Sequence, residues 1–283
     1  MRIIKRRKGK VDYFYLQHSY RENGKVVTVE KYLGKVIPAN IEEIRGDFRL
    51  EANKFLYEKL EKIRRNFQGE WRKYPETAKE REKQEIAIAF TYNTNAIEGS
   101  TITLEETRGI IQDGVAPTKP LKDIRETESH AKVFLNMLNT KGMSNELLLK
   151  WHKEIFGGTK PDIAGKFRKY RVRVGAYVAP DWHDITRLMS QLMKFVNETK
   201  LNPVELAARA HYRFEKIHPF GDGNGRIGRL IMNSILWHDG YPMLIIEFKK
   251  RKFYYRGLQK DEEGFVSYCI RGYVSVHKKY LRG

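Results

Sequence analysis

The pattern of apolar and polar positions divides the chain into a short β-rich start and a long helical remainder. Residues 11–20 and 26–33 are rich in aromatic and β-branched side chains, which is typical of strands. Asn23-Gly24 between them favours a type I′ hairpin turn, and Ile3-Ile4 predicts a first strand. The sequence therefore predicts a small antiparallel β-meander over residues 1–37.

Beyond Pro38, apolar residues recur with helical spacing, so the rest of the chain is predicted to be mainly α. Asn40 and Glu43 have the form of a helix N-cap and its capping-box partner, and their helix is predicted to reach about Phe67. Later helices are predicted at 76–97, 103–114, 123–140, 144–156, 185–198, 203–217, 226–237, from 253, and at 265–280. We divide the chain into a basic β-meander, N-terminal helices, and a core with C-terminal helices: 1–37, 38–99 and 100–283.

The most informative stretch connects two of these helices and reads His218-Pro219-Phe220-Gly221-Asp222-Gly223-Asn224-Gly225-Arg226. Pro219 disfavours α geometry at the residue before it, so the first helix should end there. Glycines at three alternate positions tolerate positive φ and let a ligand approach the backbone closely. The amides that open the second helix would then point into the loop, which predicts an anion-binding site.

Charged side chains in and after this loop agree with a bound anion and with proton transfer. Arg226 lies in the first helical turn, where a cation opposes the macrodipole, and Arg229 follows on the same face. Two arginines at a helix start make sense if an anion of higher charge occupies it. Asp222 suits Mg²⁺ held jointly with substrate phosphates, and His218 is a titratable base. The loop has no P-loop lysine, which argues against a P-loop NTPase.

These residues resemble the HxFx[DE]GNGRxxR signature of Fic-domain proteins, and every specified position matches: His218, Phe220, Asp222, Gly223, Asn224, Gly225, Arg226 and Arg229. The resemblance covers about residues 80–270 and implies a Fic-type helical bundle. It also implies a protein adenylyltransferase, which moves AMP from Mg-ATP to a Ser, Thr or Tyr hydroxyl of a target protein or of itself.

The resemblance assigns a role to each residue of the signature. His218 would be catalytic and take the proton of the attacking hydroxyl. Asp222 would hold Mg²⁺ between phosphates, and Phe220 would point into the core. The remaining positions would bind the phosphates of ATP through backbone amides, the asparagine side chain and two guanidinium groups: Gly223, Asn224, Gly225, Arg226 and Arg229.

The end of the predicted 76–97 helix resembles a second Fic motif, [ST]xxxE[GN], at Thr94, Glu98 and Gly99. A helix that simply ends at Gly99 explains that glycine without any function. Glu98, however, is an acid at the negative end of a helix dipole, which is unfavourable unless a cation lies nearby. The resemblance implies autoinhibition, in which Glu98 pairs with Arg229 and keeps it from the γ-phosphate. In some relatives the glutamate also helps to remove AMP from modified targets.

Residues 167–174 alternate large and basic side chains, which predicts an extended hairpin. This hairpin resembles the flap of Fic proteins, which holds a target segment by main-chain pairing and needs few specific side chains. An ordinary surface hairpin is the alternative. The flap residues assigned to target docking are Arg171, Val172, Arg173 and Val174.

Four residues outside the signature are open to a functional and a structural interpretation. Tyr254 and Leu258 stand where related proteins line the adenine, but core packing would explain both equally well. His130 and His152 lie within predicted helices, and lone histidines there are usually packed or surface residues. We therefore assign Tyr254 and Leu258 to nucleotide binding and leave both histidines unassigned.

Composition indicates a positive electrostatic field around the protein and the cellular compartment in which it works. The formal net charge is +19, which attracts nucleotides, acidic proteins and nucleic acid, although a basic proteome explains it equally. The single cysteine, Cys269, excludes an internal disulfide and fits a reducing compartment. The N-terminus lacks a signal-peptide pattern, and no apolar run is long enough for a membrane span. We therefore predict a cytoplasmic protein that has no contact with a membrane.

Two alternatives to AMP transfer stay open from the sequence. One is transfer of another nucleotidyl or phosphoryl group, although phosphate-transferring relatives depart from the signature at the anion hole, which is intact here. The other is a nucleic-acid-binding regulator that uses the basic surface and carries a Fic domain. A homodimer also stays open.

Overall fold

The computed structural model describes residues 1–22 and 25–282, so the predicted turn at Asn23-Gly24 lies outside the described residues. Contacts between residues group the chain into two compact units, Met1–Lys62 and Ile63–Gly283. The boundary between the units falls inside a helix. It therefore differs from the segment boundaries at 37/38 and 99/100 that we drew from the sequence.

The N-terminal unit begins with a three-stranded antiparallel sheet in the order β1 (Arg2–Lys8), β2 (Val11–Glu22), β3 (Lys25–Gly34). This sheet confirms the predicted meander. The first strand is longer than the two residues that indicated it, because it follows β2 through seven paired positions.

The sheet shares its core with helix α1 (Ile41–Ala52). The buried members of this core are Leu16, Leu33 and Phe48, and the partly buried residues against them are Met1, Ile3, Phe14, Val29, Ile41 and Ile44. A two- or three-stranded sheet of this size needs such a partner, since it buries little apolar surface alone.

The predicted single helix from Asn40 to Phe67 is wrong, because it is two helices. The first ends at Ala52, and α2 (Lys54–Lys73) follows after Asn53. The predicted capping box is wrong as well. The Asn40 backbone is not extended, and its side-chain amide donates to the Glu43 carboxylate over 3.2 Å instead of capping the helix.

The C-terminal unit is mainly helical, as predicted. Its helices are α3 (Glu76–Ile97), α4 (Leu104–Arg108), α5 (Leu121–Met137), α6 (Asn145–Phe156), α7 (Ile185–Glu198), α8 (Pro203–Ile217), α9 (Asn224–His238), α10 (Arg251–Leu258) and α11 (Glu262–Val276). A short hairpin lies between α6 and α7, formed by β4 (Arg173–Val174) and β5 (Tyr177–Val178). Short turns of other helix types complete the unit: Gly109–Asp113, Trp182–Asp184, Phe248–Lys250 and Lys278–Leu281.

Local capping explains several of these helix starts. Thr103 and Glu106 form a reciprocal capping box at the start of α4. The Ser144 hydroxyl accepts from the backbone N–H of Leu147 at the start of α6. Asn202 caps α8, where Pro203 occupies the first turn. None of the helices in the described parts of the chain is long and apolar enough to cross a membrane.

The signature loop lies between α8 and α9, which pack closely against each other. Both helices bury apolar side chains: Ala207, Ala210, Phe214, Ile227, Leu230 and Ile231. The two helices therefore fix both ends of the loop on a rigid, apolar support.

Candidate active site

The loop begins with an unusual backbone conformation at His218. Helix α8 ends at Ile217, as Pro219 predicted, and His218 adopts the left-handed region at φ 51°. Within residues 1–22 and 25–282 it is the only residue other than glycine with a positive φ. Arg168 is buried and its Nε donates to the His218 carbonyl over 2.8 Å, which stabilises this conformation.

The His218 ring is oriented as a proton acceptor. Its Nδ1 lies 3.3 Å from the carbonyl oxygen of Glu215. A carbonyl can only accept, so Nδ1 carries the proton and Nε2 carries the lone pair. Burial lowers the pKa of His218 below its usual value of 6.5, which keeps the ring neutral near pH 7.

Asn224 closes the loop with its side chain. Its Oδ1 accepts from the Phe220 amide and its Nδ2 donates to the Phe220 carbonyl, both over 2.9 Å. The prediction that this side chain joins the anion hole stays a prediction: the side chain is buried, and its oxygen and one of its two N–H groups are bonded to Phe220. The backbone amides of Asn224 and Gly225 remain suited to an anion, since a helix offers its first N–H groups no acceptor of its own.

Phe220 is fully buried, as predicted, and it stacks on His152 with ring centres 3.9 Å apart. His152 Nδ1 accepts from the Gly165 amide over 2.9 Å, so Nε2 carries the proton and donates to the Asp222 carbonyl over 3.0 Å. Burial lowers the pKa of His152 to about 4. The sequence left this histidine unassigned, and no local signal connects it to a loop 70 residues away.

Asp222 presents one carboxylate beside the start of α9. Its Oδ1 accepts from the Gly223 amide over 2.6 Å, and its Oδ2 lies 2.7 Å from Lys160 Nζ. Burial would raise the pKa of Asp222, but Lys160 lowers it below the usual value. Among the described residues no three His, Cys, Asp or Glu side chains cluster as a metal site. A single half-exposed carboxylate nevertheless fits Mg²⁺ that takes its other ligands from phosphates and water.

Gly223 must be glycine for two reasons. It caps α9 with φ 78°, in the left-handed region. A Cβ here would also collide with the ring of Phe156. The Phe156 ring thus packs against the loop at Gly223. The Arg226 guanidinium lies over the same ring, 4.3 Å from its centre.

Arg226 is paired with a carboxylate that the sequence did not predict. Its guanidinium donates to Glu126 on α5 over 2.5 Å, and both side chains are almost fully buried. Glu126 also accepts from Thr159 over 2.8 Å and lies 3.0 Å from Lys160. The partner lies 100 residues away in the chain, so no local pattern indicates it.

Arg229 is held by the predicted inhibitory segment. Its guanidinium lies 2.6 Å from the Glu98 carboxylate, and its Nε donates to the Thr94 hydroxyl over 2.6 Å. A third donor reaches the Thr94 carbonyl over 3.2 Å. Burial would lower the pKa of Arg229, but Glu98 raises it above the usual value, so the cation is stabilised.

Two glycines make this contact accessible. Gly99 follows α3 with φ 94°, and the backbone bonds of a Schellman motif end the helix, so Glu98 occupies the cap position. Across the gap, Gly225 has no side chain, and a Cβ there would collide with Glu98 Oε1. Because Gly225 has no side chain, the space beside it is open to the Glu98 carboxylate as well as to a ligand.

A model of the Fic/DOC family matches residues 142–236, from just before α6 to near the end of α9. Residues 142–236 of this chain therefore form a Fic/DOC domain. Relatives named protein adenylyltransferase Fic, from Drosophila ananassae and Drosophila melanogaster, are 33% identical to it over 214 residues. The match covers 71% of this chain and 42% of the relatives, so the chain spans less than half of their length.

Solved Fic structures confirm the fold. Fic-1 from C. elegans superimposes with a TM-score of 0.69 at 27% identity, over 86% of this chain and 78% of that one. A Fic family protein from Desulfovibrio desulfuricans gives the same TM-score at 26% identity, over 81% of this chain and 74% of that one. The predicted Fic-type bundle is therefore correct.

The residues assigned to adenine lie in different environments. Tyr254 is fully buried, and its hydroxyl lies 2.9 Å from His211 and 3.4 Å from Arg229. Its ring therefore supports the arginine from within the core and is not presented to an open nucleotide pocket. Leu258 is half-buried at the end of α10, and its assignment to the adenine stays a prediction.

The hairpin predicted to be a flap is shorter than the predicted stretch. Only Arg173 and Val174 of the four assigned residues lie in β4, while Arg171 and Val172 precede the strand. The Val172 carbonyl accepts from Ala179, and the Tyr177 hydroxyl donates to the Lys216 carbonyl over 2.8 Å, which ties the hairpin to α8. The hairpin is exposed, and target docking on it stays a proposal.

Proposed function

We propose that this protein transfers AMP from ATP to a Ser, Thr or Tyr hydroxyl of a protein, and that Glu98 restrains the transfer. The observation that carries the proposal is the position of His218, an imidazole held as a base at one end of a loop whose other end is a helix start with Arg226 and Arg229. The name of the relatives, protein adenylyltransferase Fic, supports this activity.

The start of α9 would bind the phosphates of ATP. The first amides of a helix and its dipole attract anions, so Asn224 and Gly225 would bind phosphate oxygens through their backbone N–H groups. Arg226 would add a charge-assisted bond without leaving Glu126, because a guanidinium has five N–H donors. Arg229 would bind the γ-phosphate only after Glu98 releases it.

His218 performs the proton transfer. The acceptor oxygen attacks the α-phosphorus, the bond from that phosphorus to the bridging oxygen breaks, and pyrophosphate leaves. The hydroxyl proton passes to His218 Nε2. Its neutral state near pH 7, maintained by burial, leaves that lone pair available.

Asp222 would hold the magnesium ion of Mg-ATP. When bound, the ion would supply charge neutralisation for the phosphates. The Asp222 side chain is suited to this because the Gly223 amide and the His152–Asp222 carbonyl bond orient it before any ligand arrives.

Glu98 would inhibit by occupying Arg229. While the 2.6 Å ion pair persists, the guanidinium is engaged by Glu98 and Thr94, so ATP binds without its γ-phosphate contact. Once rotated away, the same carboxylate would orient a water that removes AMP from a modified target. Release of AMP from purified modified target, lost on Glu98→Gln, tests this second role.

The test is self-labelling by the full chain carrying Glu98→Gly, which needs no known target. Label at the α-phosphate of ATP should enter the protein, whereas label at the γ-phosphate should not. Adding His218→Ala should lower incorporation by about 10²–10⁴-fold while nucleotide binding persists, because only the proton acceptor is lost. His183→Ala is the matched control, since His183 is an exposed histidine that contacts Asp181.

Each contrary result has a distinct meaning. Incorporation of γ-label would show phosphoryl transfer, and equal labelling from UTP would show another nucleotidyl transfer. Undiminished labelling in His218→Ala would remove the base from the mechanism. Retention on DNA that weakens steeply with salt, without any labelling, would favour the nucleic-acid-binding regulator, which the family match does not favour.

A further inference from the structure

Lys160 lies beside the carboxylate assigned to the divalent cation. Its Nζ lies 2.7 Å from Asp222 Oδ2 and 3.0 Å from Glu126 Oε1, and its side chain is only 15% exposed. The ammonium also lies 4.7 Å from the centre of the Phe156 ring. Two carboxylates and an aromatic face thus form a site for a cation, and the chain fills that site with its own side chain.

The turn after α6 fixes the position of this lysine. The Lys160 amide donates to the Phe156 carbonyl over 2.7 Å, and its carbonyl accepts from Ala164 over 3.0 Å. Thr159, one residue earlier, donates to Glu126 over 2.8 Å. The backbone and a neighbouring side chain therefore hold Lys160 near Glu126, in addition to the attraction between the charges.

Charge balance explains why the ammonium is stable there. Burial would raise the pKa of Glu126, but Arg226 and Lys160 hold it below its usual value. Asp222, Glu126, Lys160 and Arg226 together are two anions and two cations. This group is neutral without a metal ion, which avoids the cost of an uncompensated buried charge.

A divalent cation on Asp222 Oδ2 would compete with this ammonium for the same oxygen. Mg²⁺ binds carboxylate oxygens at about 2.0–2.1 Å, and the Lys160 nitrogen already lies 2.7 Å from Asp222 Oδ2, so the two positive charges would repel each other across that oxygen. Resting on the proposed function, we infer that Lys160 is a built-in competitor of the divalent cation for Asp222. Metal binding displaces the ammonium, and Glu126 retains it close to the nucleotide.

The competition has a measurable consequence in the full-length chain loaded with α,β-methylene-ATP, which is not cleaved at the reacting bond. Mn²⁺ titrated by electron paramagnetic resonance reports metal affinity directly. Lys160→Met should tighten Mn²⁺ binding about tenfold, near the lower end of the effects seen for residues around a metal ligand. Lys160→Gln, which can still bond Glu126, should tighten it as well. Lys166→Met is the control, because Lys166 is an exposed lysine of the same loop whose ammonium donates to the Asp162 carbonyl over 3.5 Å.

A double-mutant cycle separates direct competition from a general field effect. In an Asp222→Asn background the gain from Lys160→Met should vanish, because the shared oxygen no longer carries charge. A gain that persists there, or unchanged or weaker Mn²⁺ binding in both Lys160 variants, overturns the inference alone if nucleotide still binds. Failure of wild-type protein to bind the nucleotide overturns the proposed function and this inference together.

Discussion

Arg226 and Arg229 lie three residues apart on α9, yet their carboxylate partners differ in kind. Glu126 lies in the middle of α5, is almost fully buried, and contacts Arg226, Lys160 and Thr159 at once. Glu98 lies at the end of α3, its side chain is 29% exposed, and its carboxylate is paired with Arg229.

This difference implies two roles. Glu126 is a fixed structural partner, which we call the scaffold, and Glu98 is a displaceable partner, which we call the switch. Glu126 is itself almost fully buried and holds three partners, one of them the buried Arg226, so its departure would leave charge uncompensated in a medium of low polarity and Glu126 should stay in place through the reaction. A carboxylate at a helix end with 29% of its side chain exposed can rotate into water, and an incoming phosphate then supplies the negative charge that the buried Arg229 loses. Phosphate can therefore compete for Arg229 but should only add to the contacts of Arg226.

The largest expected effect is on stability, in Glu126→Ala. Removing this carboxylate leaves Arg226 buried without its anion, so the free energy of unfolding should fall by about 3–5 kcal/mol. Urea denaturation followed by circular dichroism measures the loss. Glu128→Ala on the same helix is the control: it removes an exposed pair with Lys132, worth about 0.2–1 kcal/mol. Equal losses in the two variants would mean that Glu126 is no scaffold.

Glu98→Gly should have the opposite effect on function, because it should raise activity. Freeing Arg229 for the γ-phosphate should raise AMP self-labelling by about 5–150-fold, the usual range of coupling between two sites. Ser100→Gly is the matched control, since it adds a glycine two residues away and leaves the carboxylate intact. If both variants label like wild type over a range of Mg²⁺ and ATP, Glu98 is not the switch.

Thr94→Val should raise AMP self-labelling by less than Glu98→Gly does. It removes the hydroxyl that accepts from Arg229 Nε but leaves Glu98 in place, so the inhibited arrangement loses about 1 kcal/mol, or about fivefold in labelling. Thr94→Ser keeps the hydroxyl and should behave like wild type. Labelling in Thr94→Val at the level of Glu98→Gly would assign the restraint to the threonine.

The smallest effect concerns pH and should be the same whether or not Glu98 is present. His218 must be neutral to accept a proton, and burial lowers its pKa, so the single-turnover rate should be flat above pH 6.5. It should fall only as pH drops through that lowered pKa. An acid limb centred at or above pH 6.5 in the Glu98→Gly variant would contradict the buried, neutral imidazole.

Much of the fold could be predicted from local signals. The bounds of α3, α7 and α8 agree with the predicted 76–97, 185–198 and 203–217, because caps, proline and apolar spacing act within a few residues. The break at Asn53 was missed, since the helical spacing continues across it. At the site, the signature predicted the base and the loop, but not that Asn224 closes the loop with its own side chain.

The sequence by itself determined the chemistry available to this protein: a base, a glycine-lined anion loop, two arginines and an acid at a helix end. Only the tertiary structure decided the partners of these groups. Glu126, His152 and Lys160 meet the loop from 62 to 100 residues away, and such contacts depend on how whole helices pack. Local propensity acts over a few residues, whereas burial and charge pairing act between any groups that the fold brings together.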